Sequence, residues 1–313
     1  LRLLCSIKFF NPLQQEILVS VSNLHKSFKN FKAVDGLSFT VNKGDIYGFL
    51  GPNGAGKSTT IRMMVSLIKS DSGEISIFNK TLDKHRSEIL NKTGALIERP
   101  DFYKYLSAAK NLEILARLSG VRITKSRIYE LLEMVGLKNR EASKAQTFSQ
   151  GMKQRLGLAQ ALLHDPELLI LDEPSNGLDP QGIKEMRELI VMLNKEQGKT
   201  ILLSSHLLSE IELMANRMII INRGKAVVEG DVAELLQNGN VNVVYEVNNI
   251  EAAIACVQKL NEFTKIKTEN NFITIEMHQK DAARVNSIFV NNNIEVKSIK
   301  PLRALEEYFL SLT

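Results

Sequence analysis

Gly51-Pro52-Asn53-Gly54-Ala55-Gly56-Lys57-Ser58-Thr59 is the stretch on which the reading of this chain turns. An apolar, strand-like run, Ile46 to Leu50, leads into it, and a helical pattern leaves it near Thr59. The glycines let backbone amides turn inward around an anion, and the N-terminal end of the following helix adds a positive field. Lys57 then sets a point charge against outer phosphates, and the Ser58 hydroxyl is placed to ligate a bridging magnesium ion. All nine residues are expected to bind a nucleoside triphosphate; a purely structural glycine turn is the bland alternative, which the strand-loop-helix context disfavours.

Working outward, Leu168 to Leu171 is a short apolar strand that ends on Asp172-Glu173. In a nucleotide site of this kind Asp172 holds magnesium and Glu173 polarises the attacking water. Short β-branched runs alternate with longer helical stretches from Ile17 to about Gly230, which predicts an α/β domain with a mostly parallel sheet. Its opening is richer in strands: Ile17 to Val21, Leu37 to Val41, Asp45 to Leu50 and Glu74 to Phe78 predict an antiparallel β subdomain. Three- and four-residue apolar spacing from Ser107 to Gly136 predicts a helical insertion, taken as about 99–160, and Thr200 to Ser204 reads as a further buried strand.

After Asn238-Gly239-Asn240 the pattern shortens to strands near Val241 to Val247, Phe272 to Met277 and Val296 to Lys300, with helices near Glu251 to Leu260 and Lys280 to Asn291. A final helix is expected over Arg303 to Leu312. The predicted organisation is an extension at 1–15, the nucleotide domain at 16–238 and a small α+β accessory domain at 239–313.

Composition limits the function. Lys+Arg 40 against Asp+Glu 35 leaves +5, too mild to mark a nucleic-acid binder in 313 residues. Cys5 and Cys256 have no partners at ligand spacing, so neither a zinc site nor a disulfide framework is expected. No apolar run approaches the roughly 18–20 residues that span a bilayer, so a membrane role requires a separate membrane-crossing chain.

Further segments decide the kind of nucleotide site. Phe148-Ser149-Gln150-Gly151-Met152-Lys153-Gln154-Arg155, ahead of a helix, resembles the signature motif of ABC transporter ATPases, keeping its serine and second glycine. Ser175-Asn176-Gly177-Leu178-Asp179 resembles the family's D-loop, and Ser204-Ser205-His206 its switch region. The resemblance implies that Ser149, Gly151 and Asp179 meet a nucleotide held mainly by a second ATPase subunit, identical or different. It also implies that His206 contacts the γ-phosphate and that Phe28 stacks on adenine. Where ABC ATPases usually carry a magnesium-contacting glutamine, Gly94-Ala95-Leu96-Ile97-Glu98-Arg99-Pro100 supplies Glu98. That substitution, together with the tail Leu305-Glu306-Glu307-Tyr308-Phe309-Leu310, is similar to bacitracin and lantibiotic exporter subunits.

The implied protein is an ATP- and magnesium-dependent ATPase at the cytoplasmic face of a membrane. Glu173, His206 and Lys57 are its catalytic residues and Ser58, Glu98 and Asp172 its metal ligands. It powers export, with antimicrobial peptides or drugs the leading cargo, through a separate permease that docks near Tyr103, Tyr105 and Leu106. Lipid, polysaccharide or ion cargo remains an alternative. A soluble ABC protein of translation or repair is disfavoured by the single phosphate loop and the lack of a long coiled-coil insertion, and an importer by the motif set.

Overall fold

The computed structural model describes residues 16–98, 100–237, 241–260, 262–263 and 265–303. Along the first part of the chain lie β1 (Ile17–Phe28), β2 (Phe31–Asn42), β3 (Ile46–Leu50), α1 (Lys57–Met64), β4 (Ser72–Ile77), β5 (Lys80–Thr81), α2 (Leu82–Leu90) and β6 (Thr93–Leu96). Next come α3 (Ala108–Leu118), α4 (Lys125–Met134), α5 (Gln150–Ala161), β7 (Leu168–Leu171), α6 (Pro180–Lys195), β8 (Thr200–Ser205), α7 (Leu208–Glu212), β9 (Arg217–Asn222) and β10 (Lys225–Asp231). The chain continues through α8 (Val232–Gln237), β11 (Val241–Val247), α9 (Ile250–Gln258), β12 (Ile266–Glu269), β13 (Phe272–Met277), α10 (Ala282–Asn291) and β14 (Val296–Arg303).

Two compact units result, 1–229 and 230–313. In the first, six strands run in the order β10-β9-β3-β8-β7-β6, and the β9-β3, β3-β8, β8-β7 and β7-β6 pairings are all parallel. Leu168–Leu171 and Ile46–Leu50 are buried along their whole length, as strands covered on both faces must be. The register matters most for function. Leu50 lies beside Ser205, and Leu171 beside both Leu203 and Leu96. The carboxyl ends of β3, β8, β7 and β6 therefore share one edge, the edge of an open parallel sheet where ligands bind.

A second, antiparallel sheet has the order β2-β1-β4-β5 and packs its apolar face into the same core. Here β1 runs on past Val21 to Phe28, because an irregularity with Asn23 at φ +48° lets the strand resume with Leu24 buried. The helical stretch from Ser107 to Gly136 is two helices. Gly120 at φ +71° closes the first, and the Thr124 hydroxyl caps the second by accepting from the Arg127 amide at 3.2 Å.

In the second unit four antiparallel strands order as β12-β13-β11-β14, and the sequence β-α-β-β-α-β makes this a ferredoxin-like arrangement. Its helices cover one face, where Tyr245 and Phe289 meet edge-on with centroids 5.2 Å apart. Strand β12, mostly exposed and only four residues long, has too little apolar pattern to be foreseen. The expected join at 238–240, the extension at 1–15 and the terminal helix beyond Arg303 fall outside the described residues.

Candidate functional site

At the shared strand edge a cleft of about 550 Å³ opens between the loop after β3 and the loops after β6, β7 and β8. Pro52, Asn53, Gly54, Gly56, Lys57, Ser58 and Thr59 form one wall; Glu98, Asp172, Glu173 and His206 form the other. Gly56 shows why the loop is built from glycine: its φ is +107°, and a Cβ there would lie 2.5 Å from the Ala33 carbonyl oxygen. The loop fits closely under β2, leaving its outer side to face the cleft.

Charges in the cleft form a chain. Lys57 is 6% exposed and donates to the carbonyl oxygens of Gly51 at 2.7 Å and Pro52 at 3.3 Å, with Glu173 Oε1 3.3 Å from its ammonium. Glu173 Oε2 meets His206 Nδ1 at 2.8 Å. Beneath them, the fully buried Ser204 hydroxyl donates to Asp172 Oδ1 at 2.5 Å and accepts from the Glu173 amide at 2.9 Å. One serine thus sets both acids. Glu173 sits at φ +50° and Glu98 at φ +60°, the two glutamates held in the left-handed region among the described residues. Backbone held in that region concentrates at sites where chemistry demands a particular side-chain direction.

Ser204→Ala removes one partner from the buried Asp172 carboxylate and one from the part-buried Glu173 amide. The expected cost is about 1–3 kcal/mol, read as a lower urea midpoint with an unchanged slope. An unchanged midpoint contradicts the role given to this hydroxyl.

Below His206, the Ser205 hydroxyl donates to Glu210 Oε2 at 3.3 Å. Burial pushes the Glu210 carboxyl up, the Ser205 bond opposes this, and the nearby Glu173 charge raises it further. A carboxyl that holds its proton more tightly when folded lends stability that is full below its unfolded pKa and is lost as pH rises through its folded pKa. Glu210→Gln is therefore expected to narrow the difference in melting temperature between pH 5 and pH 8, by raising the pH 8 value. Parallel shifts at both pH values contradict this.

The oxygen donors Ser58, Asp172 and Glu98 suit a hard divalent cation. Among the described residues no group of three or more His, Cys, Asp or Glu forms a metal cage. Magnesium needs none, because it takes one or two protein carboxylates and completes its shell with phosphates and water. The Glu98 side chain is 61% exposed and ion-paired to Arg62 on α1, a partner that the sequence did not disclose.

Phe28 is 48% exposed, has the Lys26 ammonium 5.5 Å from its ring centre, and is absent from the cleft wall. Phe31, paired opposite it across the hairpin end, lines the cleft with Ala33. Where the hairpin turns, not residue type, decides which of the two aromatics faces the site. Gln154 and Asn176 also line the cleft and were not singled out as site residues.

Ser149, Gly151 and Asp179 do not line the cleft of their own chain. Ser149 caps α5, accepting from the Met152 amide at 3.3 Å, and Asp179 caps α6, accepting from the Gly182 amide at 3.1 Å. These helix starts are neighbours, since a Cβ on Gly151 would lie 3.5 Å from Leu178 Cδ2.

A glycine-rich loop carrying Lys57 and Ser58, the acids Asp172 and Glu173, and His206 share one edge of a parallel sheet with helices inserted between β6 and β7, the arrangement of a nucleoside triphosphatase of the ATP-binding-cassette class. The ABC transporter family matches residues 34–176. The bacitracin transport ATP-binding protein BcrA of Bacillus licheniformis is 43% identical over 297 residues, 94% of this chain and 97% of the relative. The lantibiotic transport ATP-binding protein SrtF of Streptococcus pyogenes is 43% identical over 212 residues, 68% of this chain and 90% of the relative. The dimeric post-hydrolysis structure of the ATP-binding cassette MJ0796 bound to ADP and Pi is 26% identical, with a TM-score of 0.63 over 69% of this chain and 99% of that one. The chain belongs to the ABC transporter family, as an ATP-binding subunit that hydrolyses ATP.

Proposed function

We propose that this subunit powers the export of antimicrobial peptides through a separate membrane permease, at the cytoplasmic face of the membrane. The observation that carries the energetic half is the Lys57–Glu173–His206 chain over the Ser204-linked acids, which joins the phosphate loop to the water-activating carboxylate. Magnesium would be held by Ser58, Asp172 and Glu98, neutralising phosphate charge; Glu173 takes the proton of the attacking water while His206 fixes the carboxylate. Catalysis is positioning and charge neutralisation.

Ser149, Gly151 and Asp179 do not line the cleft of their own chain, which supports a head-to-tail pair in which each subunit completes the other's site. The pair is formed by two copies or by a copy and a related ATPase. No described helix is long and apolar enough to cross a membrane, which supports a separate permease. Tyr103 and Tyr105, 54% and 78% exposed just beyond Glu98, offer it an aromatic contact. The peptide cargo rests on relatives named for bacitracin and lantibiotic transport. A relative named for linearmycin resistance, 33% identical over 306 residues, favours a second reading in which the cargo is another antibiotic class.

The test is the growth of cells that carry this chain and a co-expressed candidate permease in bacitracin, in a lantibiotic and in linearmycin. Protection that needs both chains and is lost with Glu173→Gln supports the reading. Equal sensitivity to all three, with both chains in the membrane fraction, overturns the cargo.

A further inference from the structure

Among the described residues, the helical insertion contributes one residue to the nucleotide cleft, Gln154. It lies on the first turns of α5, is only 2% exposed, and its Oε1 is buried with no hydrogen-bond partner. A buried amide oxygen without a partner is costly, and such an atom in a native fold calls for an explanation. Its position supplies one. Gly157, one turn further along the same face, packs so tightly that a Cβ there would lie 2.7 Å from Leu96 Cδ1 and 2.9 Å from Pro100 Cγ. Leu96 in turn accepts from the Asp172 amide at 2.7 Å. Gln154 therefore stands at the end of the cleft that holds Glu98 and Asp172.

We propose that Gln154 is a positioning residue for hydrolysis: its carboxamide oxygen accepts a hydrogen bond from a water at the metal and phosphate end of the cleft, tying the helical insertion to the nucleotide. A carboxamide suits the place. Asp172, Glu173 and Glu98 already bring three carboxylates against the single ammonium of Lys57 in the cleft wall, so a neutral acceptor orients water without a further negative charge. Gln154 is fixed in α5, whereas exposed Glu98 is held by Arg62.

This inference rests on the reading of the cleft as a hydrolytic site, and the experiment separates the two. Full-length wild type, Gln154→Leu and Gln154→Met are compared for turnover, for melting temperature, and for ATP affinity by calorimetry with magnesium and with EDTA. For both variants turnover is expected to fall about tenfold and the tightening of ATP binding by magnesium to shrink severalfold, the scale of lost outer-shell contacts. ATP affinity in EDTA stays within about twofold. The melting temperature holds or rises by about 2 °C, because the partnerless oxygen is gone. Turnover and magnesium tightening within about twofold of wild type in either folded variant, or a lower melting temperature with unchanged turnover per folded molecule, overturns the role. Absence of turnover in wild type itself overturns the hydrolytic reading on which the role depends.

Discussion

Lys57→Ala is expected to lower ATP turnover by about 10²–10³-fold and to raise KM as well, measured by steady-state phosphate release. The ammonium is nearly sealed from solvent, grips the loop through two carbonyl oxygens and sits 3.3 Å from Glu173. Removing it would delete the charge proposed to meet the outer phosphates and free the loop, so ground-state binding and transition-state stabilisation are expected to fall together. It also leaves Glu173 beside Asp172 without its neutralising neighbour, which disfavours triphosphate entry. Lys57→Arg does not restore turnover, because the guanidinium is larger and planar where the wall accepts a point charge. A KM increase with unchanged kcat contradicts a role in the chemical step.

Glu173→Gln separates binding from chemistry. The amide keeps the volume of the carboxylate and one acceptor for His206, but it takes up no proton from water. Turnover is expected to fall by about 10²–10⁴-fold, with ATP affinity by calorimetry within a fewfold of wild type. The backbone at φ +50° and the Ser204 bond to the residue's amide survive the substitution, so the side chain stays aimed at the cleft. Turnover near wild type assigns the proton acceptor elsewhere.

What was legible in advance was what is encoded locally. The phosphate loop announces itself because glycines, lysine and serine must follow one another directly for the backbone to wrap an anion. Asp172 and Glu173 stand out because an apolar strand ends on them. His206 was legible through the resemblance of Ser204-Ser205-His206 at a strand end to the family's switch region, and the parallel register then carries all of these to one edge. What stayed hidden depends on partners distant in sequence. Arg62 pairs with Glu98 across 36 positions, and Ser204 links two acids that follow another strand. Gln154 reaches the cleft from a helix whose own sequence gives no sign of which side it turns inward. Phe28 and Phe31 differ only in which side of a hairpin end they occupy, a matter of turn geometry that composition does not fix. The second unit was legible as small and α+β, while its ferredoxin-like strand order depends on pairing between β11 and β14, separated by the whole unit.

The measurement that tests the central claim most directly is light scattering after gel filtration of full-length Glu173→Gln in ATP and magnesium, with bound nucleotide counted in each peak. Composite sites predict a dimer that carries two ATP molecules and dissociates when magnesium is removed. A species that stays monomeric at saturating ATP while wild type alone turns over contradicts the account, because each chain would then hydrolyse ATP without Ser149, Gly151 and Asp179 of a second subunit.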